Sequence, residues 1–363
     1  MPSHNIGVSG TSAAAAEALR PVVVQAYADA DASDWDAYVL ADPHASFFHL
    51  STWSKVVQEA FGYEPKSLIA RRDGMVVGVL PLSLVSNWVT GKQLLSVPFG
   101  VYGGIAAADS AAFESLLQSA KISGIELGVQ YLELRSRRCA AVPNLHRIDR
   151  YATFTTELAA DDDANLKRLP RDTRYMIRKA EKAGLTAQHG LDLLGVFYKL
   201  FAQNMQNHGT PVFPKSYFDL LAANFGKQMD LMLVYHGSKP VAGVLSFLFR
   251  DAVLPYYAGV SAEARAVAAN NFMYWELMKW ATERGIRWFD FGRSKKGTGA
   301  YAFKSQWNMQ VEELEYQVFL VRRKSVPNFS PTNPKFELAT RVWQKLPLSL
   351  TTFVGPKVSR WFP

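Results

Sequence analysis

Cysteine is almost absent from this sequence, and the histidines are scattered. Cys139 is the single cysteine among 363 residues, so neither an intramolecular disulfide framework nor a cysteine-rich zinc site is available. The seven histidines lie apart, without an HExxH pattern or other clustered ligand spacing. We therefore predict no metal site and a protein suited to a reducing cytoplasm.

Long apolar runs are missing as well. The nearest candidate, MVVGVLPLSLV at residues 75–85, is well below the roughly 20 residues that span a bilayer and is typical of a buried strand. Residues 1–20 contain no basic segment followed by an apolar core, so we expect a disordered lead-in and no signal peptide. We predict no transmembrane segment, and a location in the cytoplasm or at the inner face of the membrane.

The sequence also lacks the common motifs of covalent catalysis and phosphate binding. It has no G-x-S-x-G pattern, and no base is evident beside Cys139. GTG at residues 297–299 follows a basic loop and matches neither a P-loop nor a dinucleotide-binding turn. The remaining possibilities are acyl transfer, or binding, without a covalent enzyme intermediate. Such transfer needs positioning and a cation near the developing oxyanion.

Length and charge indicate what is present. A chain of 363 residues with 48% apolar residues suits two domains of roughly 150 residues, each with its own core. The net charge of +8 favours anionic partners such as nucleotides, tRNA, phospholipids or lipid-linked phosphates. Solubility alone explains the same charge, so both interpretations stay open.

A repeat organises the sequence. The apolar pair DLMLVYHGSKPVAGVLSFLF (230–249) matches SLIARRDGMVVGVLPLSL (67–84), a predicted hairpin with its turn at Asp73 and Gly74. LPYYAGV (254–260) matches VPFGVYGGI (97–105), and a helix and a strand follow in both copies. This order predicts a mixed α/β fold duplicated in tandem, with a ligand cleft between the copies. The predicted units are a lead-in (1–20), domain 1 (21–160), domain 2 (161–325) with the candidate active site, and a C-terminal tail (326–363).

A basic helix is predicted between the copies. Pro170 suits its first turn and Gly184 the position after its end. Arg171, Arg174, Arg178 and Lys182 follow one another at spacings that place them on one face. The face suits a phosphate-bearing ligand. The alternative is a solvated charged face.

Residues 287–308, RWFDFGRSKKGTGAYAFKSQWN, contain the strongest site signal. A short aromatic strand at 288–291 is followed by a glycine-rich basic loop at 292–299 and a helix at 300–307. Tyr301 and Lys304 are three residues apart, so a helix places them on one face. A flexible charged loop at the end of a strand is where α/β enzymes often place their sites.

These residues resemble the FemAB (FemABX) family. The resemblance rests on the duplicated unit, on RYMIRKAEKAG in the basic helix, and above all on FDFGRS followed by AYAFKSQW. It covers residues from about 21 to 321, and within the family it is closest to proteins associated with PEP-CTERM/exosortase systems. The resemblance implies two tandem GNAT-like N-acyltransferase domains.

The resemblance also implies roles for individual residues. Lys304 matches the family lysine linked to stabilising the acyl-transfer intermediate, with Phe303 beside it, so both are predicted catalytic residues. Arg174 and Arg178 fall on a helix that the family uses near phosphates, and Asp290 and Arg293 belong to the FDFGR signature that shapes the site. The predicted substrate-binding residues are Arg174, Arg178, Arg293, Asp290, Tyr257, Tyr301 and Asn271.

The acyl donor stays undecided. Coenzyme A enzymes of this fold hold the pyrophosphate at an R/Q-x-x-G-x-G/A turn that opens a helix. The corresponding ARAVAANNF has no glycine, although Asn270 and Asn271 are able to cap that helix. We predict no tightly bound cofactor, with aminoacyl-tRNA or acyl-CoA as the donor.

The predicted function is an N-acyl or aminoacyl transferase. It acts on an amine of an envelope, peptidoglycan or exopolysaccharide-related precursor. The candidate partners are an anionic acyl donor, the amine acceptor, tRNA, and a peripheral membrane contact through the apolar and basic tail. The alternatives are a coenzyme-A-dependent acetyltransferase and a non-catalytic protein that binds polyanions or glycans.

Overall fold

The structure, a computed structural model, describes residues 20–137, 142–326 and 334–363, and only the backbone of residues 334–337. The predicted lead-in, except Arg20, and Cys139 lie outside the described residues. Within them, no helix combines the length and the apolar character needed to cross a membrane.

The described residues form eleven α-helices. They include the basic helix predicted between Pro170 and Gly184, the helix predicted at 300–307, and the helix predicted in each copy of the repeat. The helices are α1 (Ala32–Ala41), α2 (Ser51–Phe61), α3 (Ser110–Glu126), α4 (Asp162–Arg168), α5 (Arg171–Lys182), α6 (Leu194–Asn207), α7 (Lys215–Phe225), α8 (Ala269–Glu283), α9 (Gly299–Ser305), α10 (Pro334–Lys345) and α11 (Leu348–Ser359).

Eighteen strands are formed by the same residues. They are β1 (Val23–Ala26), β2 (Glu64–Pro65), β3 (Leu68–Arg72), β4 (Met75–Leu80), β5 (Ser83–Asn87), β6 (Gly91–Leu95), β7 (Ala106–Ala107), β8 (Tyr131–Arg135), β9 (His146–Ile148), β10 (Tyr151–Glu157), β11 (Leu185–His189), β12 (Met229–His236), β13 (Lys239–Phe249), β14 (Ala252–Val260), β15 (Trp288–Asp290), β16 (Ser294–Lys295), β17 (Gln310–Glu313) and β18 (Tyr316–Leu320). Helices and strands alternate, so the predicted mixed α/β class is confirmed.

Local sequence signals explain two of these elements. Asp73 and Gly74 both have positive φ (50° and 81°), as the tight turn between β3 and β4 requires. Helix α5 begins directly after Pro170 and ends before Gly184, whose φ is 73°. Both predictions are confirmed.

The second half of the chain builds one large sheet that opens at its centre. The strand order is β11-β12-β13-β14-β15-β10-β16, with β17 also pairing with β10. β14 and β15 are parallel and are joined by the crossover helix α8, yet they pair only at Ala252–Trp288 and Val253–Phe289. Beyond Val253 the two strands diverge, because β15 turns to pair with β10. The divergence leaves a gap in the sheet.

The first half repeats this order but splits it between two sheets. Their strand orders are β1-β3-β4-β7 and β2-β5-β6-β8-β18-β9. Pro81 lies between β4 and β5, whereas the corresponding β13 is one strand of 11 residues. β6 and β8 are parallel around α3 and pair only at Leu94–Leu132 and Leu95–Glu133.

One detail of the predicted repeat was wrong. By connectivity the counterpart of β14 is β6, and residues 97–105 (VPFGVYGGI) form a buried loop. Phe99 and Tyr102 have positive φ (59° and 36°), which a strand does not allow.

Two strands cross between the halves. β10, before residue 160, pairs with β15, β16 and β17 in the second sheet. β18, near the end of predicted domain 2, pairs with β8 and β9 of the first half. The division at residue 160 stays a prediction about folding units, and the hydrogen bonding of the sheets crosses it.

An aromatic core also joins the halves. Phe47 stacks on Phe247 with ring centroids 4.4 Å apart, and Phe48 lies 5.0 Å from Tyr256. Phe61 contacts Tyr217 at 5.0 Å. These rings belong to one buried cluster, so the halves are held at a fixed relative position.

Candidate functional site

A cavity of about 820 Å³ lies between the two halves. It enters the gap between the diverging strands, because Pro255, Tyr256 and Tyr257 of β14 and Gly292 after β15 all line it. Residues of β6 and β8 line the opposite side, and residues of α10 and α11 close part of the rim. Its size suits a drug-sized or larger ligand.

The lining of the cavity is strongly cationic. Among the described residues that line it, Glu133 is the single acidic side chain, against five cationic side chains: Arg135, Arg150, Arg293, Lys295 and Lys304. In a site partly shielded from water this excess attracts anions more strongly than the same charges do on an open surface.

Lys304 projects from α9 to the gap between the diverging strands. Thr298 caps α9 by accepting a hydrogen bond from the Tyr301 N–H, which fixes the start of the helix. The Lys304 ammonium donates hydrogen bonds to the carbonyl oxygens of Gly292 (3.0 Å) and Arg293 (3.2 Å). Lys304 thus joins its helix to the glycine loop and presents a cation to the cavity.

Burial changes the acidity of this lysine. It lowers the pKa of Lys304 to about 8, with Asp290 opposing the shift and Arg293 adding to it. At neutral pH the side chain is still mainly an ammonium ion. It has the charge needed to stabilise an oxyanion.

Arg293 links the second half to the exchanged strands. Its guanidinium lies 4.6 Å from the ring centroid of Tyr151 and 5.8 Å from that of Tyr316. It also donates a hydrogen bond to the Tyr316 hydroxyl at 3.3 Å. These contacts hold a permanent cation at the cavity wall.

Tyr257 is the third predicted site residue that lines the cavity. Its hydroxyl is hydrogen-bonded to the Tyr217 hydroxyl at 2.9 Å. Burial raises the pKa of Tyr257 well above its usual value, so the phenol stays neutral. It therefore serves as a neutral hydrogen-bonding group and is not a base.

Asp290 lies beneath the cavity and joins the two halves. Its Oδ1 accepts hydrogen bonds from the Tyr102 hydroxyl (3.1 Å), the Thr153 hydroxyl (3.1 Å) and the Gly292 N–H (2.9 Å). Arg137 lies 3.5 Å from Oδ2. Burial raises the pKa of Asp290, and Arg137 opposes that shift. Asp290 therefore fixes the turn that carries Gly292 and does not line the cavity.

Phe303 and Tyr301 support α9 from below. Phe303 packs on Tyr274 and Trp307, with ring centroids 5.8 and 6.0 Å away. Tyr301 packs edge-on against Phe154 at 5.1 Å. Neither lines the cavity, and both pack beneath the helix that carries Lys304.

The structure does not bring the basic helix to the cavity. The Arg174 guanidinium donates hydrogen bonds to the carbonyl oxygens of Lys167 (3.1 Å) and Leu169 (2.9 Å). Arg178 is exposed on α5, and neither arginine is among the lining residues. The predicted phosphate role of this face stays a prediction about a separate surface.

Asn271 is buried in the first turn of α8, outside the cavity lining. The residue at the N-cap position of α8 is Ala268, in the left-handed conformation (φ 54°), and it makes no capping hydrogen bond through a side chain. The expectation that Asn270 or Asn271 caps this helix was therefore wrong. The buried Asn270 Oδ1 has no hydrogen-bond partner.

No site residue was predicted in the first half, yet residues of β6 and β8 line the cavity. Arg135 is buried and donates hydrogen bonds to Glu133 (2.8 Å) and to the carbonyl oxygen of Pro363 (2.9 Å). The available signal was Glu133 and Arg135 alternating with buried residues at the end of β8, in the strand that matches FDFGR.

Comparison with known proteins identifies the fold. Residues 167–305 match the model of the acetyltransferase (GNAT) domain family. No curated protein matches the sequence significantly.

Solved structures match most of the chain. A crystal structure of FemX matches with a TM-score of 0.63 and 16% identity, over 88% of this chain and 100% of that chain. The C-terminal domain of a putative lysylphosphatidylglycerol synthetase from Agrobacterium fabrum matches at TM-score 0.54 and 13% identity, over 80% and 92% of the two chains. A tandem GNAT protein from the clavulanic acid biosynthesis pathway matches at TM-score 0.52 and 11% identity, over 84% and 100%. The predicted fold of tandem GNAT-like domains is confirmed.

Proposed function

We propose that this protein is an acyltransferase that moves an acyl or aminoacyl group from an activated, anionic donor to an amine. One observation carries the proposal. A partly buried lysine ammonium lies where two parallel strands diverge, in a cavity whose described lining has five cationic side chains and one acidic side chain.

The chemistry follows from this geometry. The nitrogen lone pair of the acceptor attacks the carbonyl carbon of a donor ester or thioester, and the carbonyl π electrons move to the oxygen. The Lys304 ammonium stabilises the resulting oxyanion. Collapse of the intermediate breaks the bond to the donor oxygen or sulfur, which leaves with the electron pair. The proton lost by the amine passes to the leaving group or to water, and the protein forms no covalent bond.

The cationic lining supports an anionic donor, an anionic acceptor, or both. Arg293 and Arg135 are both held in place in the cavity wall, and permanent guanidinium charges suit phosphate or carboxylate recognition. Following the FDFGRS and AFKSQW signatures, we assign the donor to aminoacyl-tRNA. The acceptor is an amine of an envelope, peptidoglycan or exopolysaccharide-related precursor, including those of PEP-CTERM systems.

A second candidate is transfer from acyl-CoA. The match of residues 167–305 to the acetyltransferase (GNAT) domain family favours it. The N-terminus of α8 has no side-chain cap, but Ala268 and Ala269 are buried there and lie outside the cavity lining. The absence of glycine in ARAVAANNF counts against close approach of a pyrophosphate.

The test compares donors directly. The purified full chain is incubated with an amine panel and either mixed aminoacyl-tRNA or a panel of acyl-CoA thioesters, and product formation is measured with each. Lys304→Met is expected to lower the transfer rate about 10²–10³-fold, the usual effect of removing an oxyanion-stabilising group. Lys296→Met is the matched control, since Lys296 is on the same loop but pairs with Glu313 outside the cavity.

Two results contradict the proposal. Equal rates for Lys304→Met and the parent remove Lys304 from the chemistry. Absence of transfer from every donor, together with polyanion binding that weakens steeply with salt and ignores Lys304, indicates a non-catalytic binder. Thermal stabilisation by acetyl-CoA, with transfer from it, selects the second candidate.

A further inference from the structure

The outer face of α11 carries large apolar side chains exposed to solvent. Phe353 is 67% exposed and Leu350 42% exposed. Trp88, in the turn between β5 and β6, is 83% exposed. Burying side chains of this size is strongly favourable, so their exposure together marks an interaction surface.

These residues form one continuous stripe. Leu350, Phe353 and Lys357 follow one another at spacings of three and four, which places them on one side of α11. The Lys357 ammonium lies 4.7 Å from the centroid of the Phe353 ring. Trp361, four residues after Lys357, contacts Trp88 edge to face at 5.3 Å. We call this set (Leu350, Phe353, Lys357, Trp361 and Trp88) the α11 stripe.

The two segments that carry the α11 stripe contain basic but no acidic side chains. Residues 338–363 contain Arg341, Lys345, Lys357 and Arg360 but no aspartate or glutamate. The turn at residues 86–92 adds Lys92 and also has no acidic residue. Helix α10 presents a further exposed apolar pair, Leu338 (75%) and Val342 (53%), one turn apart. The surface is therefore both apolar and basic.

This combination fits a membrane better than a protein partner. Lysine is depleted in protein interfaces, whereas tryptophan at the headgroup level with flanking lysine and arginine is typical of membrane-bound surfaces. The exposed apolar side chains lie together on one side of α11 and at the neighbouring turn, a position that suits shallow contact with the bilayer interface. The basic side chains of these segments are complementary to anionic lipid headgroups.

We propose that the α11 stripe docks on the surface of an anionic phospholipid bilayer, with α11 lying in the plane of the interface. The α11 stripe borders the cavity, because its Trp361 lines the cavity together with Trp343, Val358 and Phe362. Docking therefore holds the cavity rim beside the bilayer, where a substrate carried by a lipid reaches it without leaving the membrane. The surface is separate from Lys304, so its docking is independent of the transfer chemistry.

The test is vesicle co-sedimentation of the full chain. Vesicles of phosphatidylcholine alone are compared with vesicles that also contain phosphatidylglycerol. The double variant Trp88→Ser/Phe353→Ser removes the apolar anchors, and Lys357→Gln/Arg360→Gln removes the charges. The matched controls are Met75→Ser, an apolar residue 72% exposed at another hairpin turn, and Lys199→Gln on the exposed side of α6.

The parent is expected to sediment only with the anionic vesicles. Raising the salt from about 0.1 M to about 1 M, where the Debye length falls from about 10 Å to about 3 Å, should release it. The apolar variant should bind at least about tenfold more weakly, and the charge variant several-fold, while both controls match the parent.

Three outcomes overturn the proposal. The first is no binding of the parent to anionic vesicles. The second is equal weakening by Met75→Ser or Lys199→Gln. The third is a dimer of the parent in light scattering without lipid that Trp88→Ser/Phe353→Ser dissociates, because a second copy then covers the stripe. Circular dichroism and thermal unfolding of each variant establish that it is folded.

Discussion

Both halves contain a pair of parallel strands that diverge around a crossover helix, but the residues that follow these strands differ. In each, a pair of parallel strands around a crossover helix is joined at only two positions and then diverges. After β8 the first half supplies Arg135, locked to Glu133, and Arg137, which reaches Asp290. After β15 the second half supplies a left-handed Gly292 and the helix that carries Lys304. The lysine to which we assign the chemistry therefore lies in the second half, and Arg137 of the first half contacts Asp290 beneath it.

The two crossover helices also differ in how their N-termini are capped. Helix α3 is capped by Asp109, whose Oδ1 accepts a hydrogen bond from the Ala112 N–H at 2.9 Å. Helix α8 starts at Ala268 without any side-chain cap. A carboxylate at the start of α3 repels an anion, whereas the start of α8 carries no charged cap and is buried (Ala268 3% and Ala269 0% exposed). The two crossover helices therefore differ in the charge at their N-termini.

The largest effect is expected where the halves are joined. Asp290→Ala removes the acceptor shared by Tyr102, Thr153 and Gly292 and leaves buried donors unsatisfied. We expect the free energy of unfolding to fall by about 3–5 kcal/mol, measured by urea denaturation.

Two variants control this measurement. Asp290→Asn keeps an oxygen acceptor and should lose less stability, which preserves the test if Asp290→Ala does not fold. Asp251→Ala changes an exposed carboxylate near the same strand and should have little effect. Similar losses in the free energy of unfolding for Asp251→Ala and Asp290→Ala would show that Asp290 stabilises the protein no more than an exposed carboxylate does.

The next effect concerns Lys304, which has no equivalent after β8. Below pH 8 the lysine is charged in both states, and the folded state carries the cost of burial. Between about pH 8 and the unperturbed 10.5 the unfolded chain binds more protons, so the free energy of unfolding should rise with pH. The rise is at most about 3 kcal/mol.

Lys304→Met should abolish this rise, and Lys296→Met should not. The measurement is urea unfolding of the three proteins from neutral to alkaline pH. Transfer activity of the parent should instead decline above about pH 8, as the ammonium is lost. A Lys304→Met variant that keeps the alkaline rise in stability would contradict the assigned pKa.

The sequence allowed the local elements to be predicted, because their signals are local. Asp73 and Gly74 specify a turn, Pro170 and Gly184 delimit α5, and AYAFKSQW forms α9 as expected. The prediction of Lys304 as a site residue depended on that helix together with the resemblance to the FemAB family.

The partners of strands were not predictable in the same way. The sequences of β10 and β18 do not specify which sheet each strand joins, so the exchange between the halves leaves no local signal. Arg174 illustrates the same limit for a side chain. Its helical spacing was correct, but it bonds to carbonyl oxygens of the preceding segment and not to a ligand in the cavity.

A smaller effect tests the contrast between the crossover helices. Asp109→Ala removes the cap of α3 and the ion pair with Arg72 (2.7 Å), and should lower the free energy of unfolding by about 1–2 kcal/mol. Asp109→Asn keeps a capping oxygen and should cost less in the same urea titration. Equal losses for the two variants would indicate that the charge matters and the cap does not.

The smallest effect is at the start of α8. Ala268 is left-handed (φ 54°), which strains any residue with a Cβ, so Ala268→Gly should raise the free energy of unfolding by about 0.5 kcal/mol. Ala269→Gly, the matched change one residue later inside the helix, should lower it by about 1 kcal/mol.

The free energies of unfolding of both variants are measured by urea denaturation with and without acetyl-CoA. If the start of α8 holds a phosphate, Ala268→Gly also lets the backbone approach it more closely, and stabilisation by acetyl-CoA should grow in that variant alone. Loss of stability in both variants would mean that the left-handed conformation of Ala268 is not strained. The missing side-chain cap would then be the remaining difference between the starts of α8 and α3.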